Sequence, residues 1–435
     1  MFRVKTLFRL FAFDRGPLLL ALLGVAACST AEERQPVGMA SATVFEGARL
    51  IAGDGGQVIE NAAFVIEDGR FTQVGRRGEV NVPEGAGTVD LNGKTVVPAF
   101  INAHMHLSDT REERLSQLRQ NAYYGSALVV SLGSDAGDVA FSVRDELIPG
   151  VARSLTAGRG ITRPEPGRSE VPYWINTEEE ARAAVRELAE RGVDIVKVWV
   201  DDRSGQYEKL TPQLYGAIID EAHQHDLLVT AHIWNLEDAK GLLRAGIDAF
   251  AHGVRDQDLD AEFLRLIEGR PDLVYVPNLP DPGIARDLSW LSGTVPPDEL
   301  DQLQESTTDR PEVQEAFGIQ ARNLARVNEV GVRVAFGTDG SSPWAAHLEI
   351  EDMVSAGLTP AEVIVAATQS SADLMGLDDS GTIAVGNSAD FIVLDGNPLE
   401  DIANTRLISM VYLRGLEVDR EGLSAQLLAA SNPGG

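Results

Sequence analysis

Hydrophobic positions along this chain fall into three successive patterns. Between residues 42 and 97, short β-branched runs at 42–45, 62–67, 70–74 and 94–97 are broken by Gly and Asn, which predicts strands separated by turns. Asp68-Gly69 joins two of these runs with a two-residue hairpin signal, so the segment reads as a small antiparallel sheet. From Pro98 the rhythm becomes strand, helix, strand, helix. Near-continuous apolar runs occur at 97–103, 127–132, 153–157, 194–200, 227–231, 249–251, 273–276 and 333–336. Unbroken apolarity, as opposed to alternation, predicts parallel strands covered on both faces. The intervening stretches are amphipathic helices with readable starts. Thr177-Glu-Glu-Glu180 and Thr359-Pro-Ala-Glu362 are capping boxes, and Thr211-Pro212 places Pro at a first helical position. After Gly376 short strands return at 381–386, 390–394 and 409–413.

Eight strand–helix repeats match a (β/α)8 TIM barrel, which takes about 250 residues. A doubly wound open sheet is the structural rival, but no Gly-rich phosphate turn follows the first strand. Gly158-Arg-Gly160 alone reads as a loop turn. The two flanking β segments are each too short to bury their own faces, so they are expected to pack together. The expected fold is therefore α/β: a barrel over 98–376 and a small discontinuous β-sandwich built from 42–97 plus 377–420.

The N-terminus adds a different kind of signal. Arg3, Lys5, Arg9 and Arg15 precede the apolar run from Pro17 to Ala27, and Cys28-Ser29 follows. A basic region, a short apolar core and small residues at a cleavage point form a signal-peptide pattern, too short to span a bilayer as a helix. Val25-Ala26-Ala27-Cys28 resembles the lipobox of bacterial lipoproteins. The expectation is a signal peptide over 1–27, a tether over 28–41, and a periplasmic protein attached to the outer membrane only through a lipid on Cys28. The plainer alternative is a soluble secreted protein.

Composition sharpens this reading. The chain has 435 residues with 37 basic and 66 acidic side chains, a net charge of −29 and one Cys. So negative a chain repels nucleic-acid phosphates and anionic lipid, which argues against nucleic-acid partners. One Cys supports neither an internal disulfide nor a thiolate metal site. Oligomeric state is left open.

In a TIM barrel the chemistry sits at the carboxyl ends of the strands. There the sequence offers His104-Met105-His106 on the first strand, His232 on the fifth, His252 on the sixth and Asp339 on the eighth. Lys197 lies inside the fourth, among β-branched and aromatic neighbours. Residues two apart on a strand share a face, so His104 and His106 can reach one ion. Taken singly, each has a plainer reading: a core histidine, a turn aspartate, or a lysine that snorkels. Their common position at strand ends is what joins them. His223-Gln-His225 serves as a control, because residues two apart on a helix are about 200° around the axis and do not chelate together.

These residues, with Val97-Pro98-Ala-Phe-Ile-Asn-Ala-His104 and the segment Gly381-Thr-Ile-Ala-Val-Gly to Asp395, resemble the amidohydrolase superfamily. The similarity is to the branch with imidazolonepropionase-like proteins, prolidase-like dipeptidases and ochratoxinase. Ala99 departs from the Gly usual there. The resemblance implies a binuclear metallohydrolase in which Lys197, carboxylated by CO2, bridges two divalent ions, with zinc the expected metal. His104, His106 and Asp339 would hold the first ion, and His232 and His252 the second. A metal-bridging hydroxide would attack the amide carbonyl, and Asp339 would carry the proton to the departing amine.

His232-Ile-Trp-Asn235 lacks the acid that mononuclear deaminases carry after the fifth-strand His, which favours hydrolysis over deamination. The expected substrate is a small amide, a dipeptide or an N-acyl amino acid. Arg159 and Arg163, in the loop after the third strand, are candidate clamps for its carboxylate. A Pro- and Asp-rich stretch from residue 278 to about 310 reads as a lid or else a surface excursion, and Asn278 at its head is a third candidate substrate contact. The rival functions are a binuclear lactonase or phosphoesterase and a non-catalytic binding lipoprotein.

Overall fold

The computed structural model describes residues 42–430. The signal-peptide and tether readings, and Cys28 with them, lie outside the described residues.

Strands Thr43–Leu50, Ile59–Glu67 and Arg70–Arg76 pair antiparallel in sequence order. The Asp68-Gly69 turn has φ of +48° and +75°, the double left-handed pair of a type I′ hairpin. The next two strands depart from the antiparallel expectation. Gly87–Asp90 and Thr95–Pro98 both pair parallel to Thr43–Leu50, end to end along one edge. Parallel pairing needs a crossover, and residues 77–86 supply it. From the far end of the chain, Phe391–Leu394 pairs antiparallel with Thr95–Pro98, and Ile408–Leu413 pairs with it in turn. Phe45 stacks on Phe64 and Phe391 on Tyr412, with centroids 5.0 and 4.7 Å apart, so an aromatic layer lies on one face of this mixed sheet. The predicted strand at 381–386 is a turn instead. Gly381 and Gly386 adopt φ of +80° and +95°, which a strand does not accommodate.

The alternating segment forms two parallel sheets. Phe100–Met105, Ser126–Ser131 and Arg153–Thr156 make one. The other contains Val196–Val200, Val229–Ile233, Ala249–Phe250, Val274–Tyr275 and Arg333–Val334 in sequence order. Two short strands absent from the sequence expectation, Ile161–Thr162 and Tyr173–Trp174, extend its edge. Backbone bonds also run from Asp194 N–H to Thr156 O at 2.9 Å and from Ala103 N–H to Phe336 O at 2.8 Å. Between strands lie helices such as Glu178–Arg191 and Pro212–Gln224, started by the Thr177 capping box and by Thr211 with Pro212 at the first helical position. A buried apolar cluster that includes Ala103, Ala249, Ala251 and Ala335 packs between these strands. Residues 278–310 hold a 3-10 turn, Ser289–Gly293, and a helix, Pro297–Ser306. Among the described residues no helix is long and apolar enough to cross a membrane.

Candidate metal centre

Strand Phe100–Met105 buries His104, 1% exposed, and delivers His106 just past its end. Thr338 and Asp339 both donate their backbone N–H to the His104 carbonyl, at 3.0 and 2.9 Å. This pinch holds Asp339 in a left-handed conformation, φ +51°, of the strained kind that persists where surrounding contacts over-determine it. Gly337 permits the approach, since a Cβ there would lie 2.8 Å from both His104 Cβ and Asn278 Nδ2. Asp339 Oδ1 then stands 3.1 Å from His104 Nε2 and 3.0 Å from His106 Nε2, and its Oδ2 stands 3.4 Å from His252 Nε2. Lys197, fully buried, places Nζ 3.3 Å from His104 Nε2. The His232 and His252 rings meet edge to face at 4.5 Å. The five strand-end residues and Lys197 are thus neighbours.

Each ring is held from its other side. Asn278 Oδ1 lies 2.8 Å from His104 Nδ1, and Ser134 Oγ lies 3.3 Å from His106 Nδ1. His232 Nε2 meets Asp201 Oδ2 at 2.9 Å, and Asp201 is itself paired with Arg203 at 2.6 Å. Arg255 donates to His252 Nδ1 at 2.6 Å. Asp201, Arg203, Arg255 and Ser134 were not anticipated from the sequence. Asp201 carried a usable signal: four positions beyond Lys197 and one past the end of strand Val196–Val200, it continues the period-two face that Lys197 occupies.

Burial lowers the histidines, with the Lys197 charge adding to the effect at His104, which falls to about 4, while His232 falls to about 3. Burial also brings His252 well below its usual value. Neutral imidazole is the ligating form. Burial pushes the Asp339 carboxyl up, but His104, His106 and His252 outweigh it and hold the group well below the carboxylate range. Burial lowers the Lys197 ammonium to about 7, against the pull of Asp339.

The three candidate substrate contacts take other positions. Arg159 donates to the carbonyls of Val171, at 2.5 Å, and Pro172, and lies over the Tyr173 ring at 4.0 Å. Arg163 is held by Ile175 O, Asn176 and Glu208. Both guanidiniums tie the two arms of their loop together, and neither lines the cavity above the centre. That cavity, about 310 Å³, is lined instead by Arg168, Arg203 and Glu165 beside His106, His232 and Asp339. Asn278 is 3% exposed and backs His104, where a substrate does not reach it. His223 and His225 sit at a helix end, partnered by Asp248 and Glu221.

His104, His106 and Asp339 place three ligand atoms within 4.8 Å of one another. With Asn278 Oδ1 taking the Nδ1 proton of His104, Nε2 keeps its lone pair toward Asp339, so this trio fits a divalent cation. At His232 one nitrogen, Nε2, faces both Asp201 Oδ2 at 2.9 Å and the Arg203 guanidinium at 3.1 Å, so Nδ1 is free to ligate in the tautomer that donates to Asp201. His252 is set differently, because accepting from Arg255 leaves its proton on Nε2. Histidine and carboxylate ligands at the carboxyl ends of parallel strands are the type of centre that metal-dependent hydrolases carry.

The chain belongs to the amidohydrolase family, whose family model matches residues 95–418. It is 29% identical over 389 residues to the imidazolonepropionase of Deinococcus radiodurans, covering 83% of this chain and 93% of that protein. It is 25% identical over 444 residues to the ochratoxinase of Aspergillus niger, covering 85% of each. The solved structure of an Xaa-Pro dipeptidase with bound methionine in the active site superposes with a TM-score of 0.70 at 25% identity, over 87% of this chain and 99% of that one. The family is generally metal-dependent, and its members support a hydrolase acting on carbon–nitrogen bonds of a small molecule.

Proposed function

We propose that the chain hydrolyses the amide C–N bond of a dipeptide or N-acyl amino acid. The observation that carries this reading is Asp339, whose carboxylate touches His104, His106 and His252 at the floor of a cavity that also holds Arg168 and Arg203. His104, His106 and Asp339 would hold one divalent ion and His232 and His252 a second, with N-carboxylated Lys197 shared between them and zinc expected from the nitrogen and oxygen donors. Such ions supply a nucleophile at neutral pH and polarise the carbonyl. Asp339 would take the proton of the attacking water and release it to the departing amine nitrogen. Lys197, buried and held near neutrality, keeps a lone pair available to bond CO2 carbon with loss of one proton. The resulting carbamate would relieve the cost of a buried ammonium that has no carboxylate in hydrogen-bond contact. Arg203, already held by Asp201 and Glu165, and the more open Arg168 would face the substrate carboxylate.

The same reading takes the two parallel sheets as one closed (β/α)8 barrel over 98–376, supported by the Asp194–Thr156 and Ala103–Phe336 bonds. The mixed sheet from 42–97 plus 377–420 would be the second domain. From the sequence pattern alone, we place the protein in the periplasm on a Cys28 lipid.

The test is a panel of dipeptides, N-acyl amino acids, lactones and aryl phosphoesters, with metal content measured on protein refolded with zinc and bicarbonate. Turnover confined to lactones or phosphoesters would overturn the amide assignment. Fewer than one bound metal per chain would overturn the metal-dependent reading. Lys197→Ala with full activity would remove the carbamate.

A further inference from the structure

A second cavity, about 240 Å³, lies between the segment after strand Val274–Tyr275 and helix Ala345–Ser355. It has no lining residue in common with the cavity above the metal centre, so it is a site in its own right. Its walls carry Leu279, Ile284, Leu288, Leu303, Trp344 and Leu348. Ile284 is 45% exposed, so the apolar wall reaches solvent and is not closed core. Three carboxylates, Asp281, Glu349 and Asp352, line the same space with one guanidinium, Arg286. Asp352 is paired with Arg286, and Asp281 with Arg310 at 2.5 Å. Glu349 is the acid left over. It is 5% exposed, and both its oxygens accept the Leu279 N–H, at 3.0 and 3.1 Å, but among the described residues no Lys or Arg side chain is paired with it.

We propose that this cavity is a second ligand site, separate from the metal centre, and that it binds a primary amine with an aryl or aliphatic body. The ammonium meets Glu349, and the body packs against the leucines and Trp344. The inference does not rest on the amide-hydrolase reading, because it uses none of the residues assigned to that reaction. A buried carboxylate without a cation is costly, since its lost hydration is not repaid. Burial, with Asp352 pushing the same way, accordingly holds the Glu349 carboxyl well above its ordinary range. An arriving ammonium displaces the carboxyl proton to solvent and forms a charge-assisted N–H···O pair in its place. About 150 Å³ of apolar cavity is enough to take a benzene ring, so this space accommodates a phenyl ring with a short amine arm. An anion would meet three carboxylates and a guanidinium that is already paired. A neutral apolar ligand would fill the walls and leave Glu349 without its cation.

The experiment compares 2-phenylethylamine, 2-phenylethanol and ethylamine by calorimetry on the full chain. The charged contact is expected to favour 2-phenylethylamine over the alcohol roughly tenfold or more, and burial of the phenyl ring to favour it over ethylamine roughly 10- to 100-fold. Glu349→Gln keeps an accepting oxygen for the Leu279 N–H and removes the charge. It is expected to erase the preference over the alcohol and keep the preference over ethylamine. Leu303→Trp, which fills the cavity and leaves Glu349 in place, is expected to weaken both phenyl ligands by about tenfold or more. Asp339→Asn, which disables the metal centre, is expected to leave all three affinities unchanged. Absence of 2-phenylethylamine binding at millimolar concentration, equal affinity for amine and alcohol, or an unchanged ratio in Glu349→Gln would overturn the assignment. So would unchanged binding in Leu303→Trp, or loss of amine binding in Asp339→Asn, which would place the amine at the metal centre. Because binding is read without turnover, failure of the amide reaction does not touch these outcomes.

Discussion

Asn278 Oδ1 lies 2.8 Å from Nδ1 of His104, reached from a left-handed backbone with φ +43°. A contact behind a ligating histidine fixes its tautomer and ring orientation, and its loss typically costs 10- to 100-fold in metal affinity. Asn278→Gly deletes the acceptor and tolerates the positive φ. It is expected to weaken binding of the tighter divalent ion by about tenfold or more in chelator competition. Unchanged affinity would remove Asn278 from the centre.

Arg255 opposes the second ion. Its guanidinium donates to His252 Nδ1, which keeps the proton on Nε2, and it adds a positive charge beside the site. Arg255→Met should let the proton move to Nδ1 and free Nε2. Affinity for the weaker of two zinc ions is expected to rise, by a factor on the order of ten, in a titration with a fluorescent zinc chelator. A fall in affinity would contradict this account.

Stability near the centre depends on a buried ion pair. Arg114 and Asp135 are both fully buried and paired, and Asp135 also accepts from Ser131 and Thr156 on the second and third strands of the alternating segment. Arg114→Ala strands the carboxylate, at a cost of about 3–5 kcal/mol in urea unfolding. Asp135→Asn keeps one accepting oxygen for Ser131 and Arg114 and can donate its Nδ2–H to the Thr156 hydroxyl oxygen, so it is expected to cost less than Arg114→Ala.

A pH-dependent term arises on helix Ala345–Ser355. Burial raises the Asp352 carboxyl to about 7 despite Arg286, with Glu351 and Asp281 pushing the same way. An unfolded Asp titrates near ~3.9, so the folded chain keeps a proton that the unfolded chain has released. The corresponding stability is complete below about pH 4 and is lost as pH rises through about 7. The Tm of Asp352→Asn minus that of the wild type should therefore climb between pH 5 and pH 8, measured by calorimetry. A flat difference would mean that Asp352 titrates normally.

His104, His106, Lys197, His232, His252 and Asp339 were readable in the sequence because strand periodicity fixes which residues share a face and parallel topology brings strand ends together. The structure sets all six within one cluster. Loop arginines offered no such constraint. Arg159 and Arg163 look equivalent to Arg168 in sequence, but carbonyls of the returning arm, residues 171–175, capture the first two. No local pattern encodes that arm. The parallel course of Gly87–Asp90 was hidden for the same reason, since a crossover sets it. The short strand expected at 381–386 is a turn because the two glycines at its ends take positive φ.

The mixed sheet also cannot close until both ends of the chain have been synthesised. Lys94 and Asp395, 301 positions apart, form an ion pair across it, so its first strands emerge long before their partners. At 5–20 residues per second that interval is roughly 15–60 s. Until Phe391 and Tyr412 arrive, Phe45, Phe64 and Phe71 have no covering layer from the other end of the chain. The nascent protein thus spends most of its synthesis with an aromatic surface available to chaperones, and with sheet edges that the last fifty residues must close.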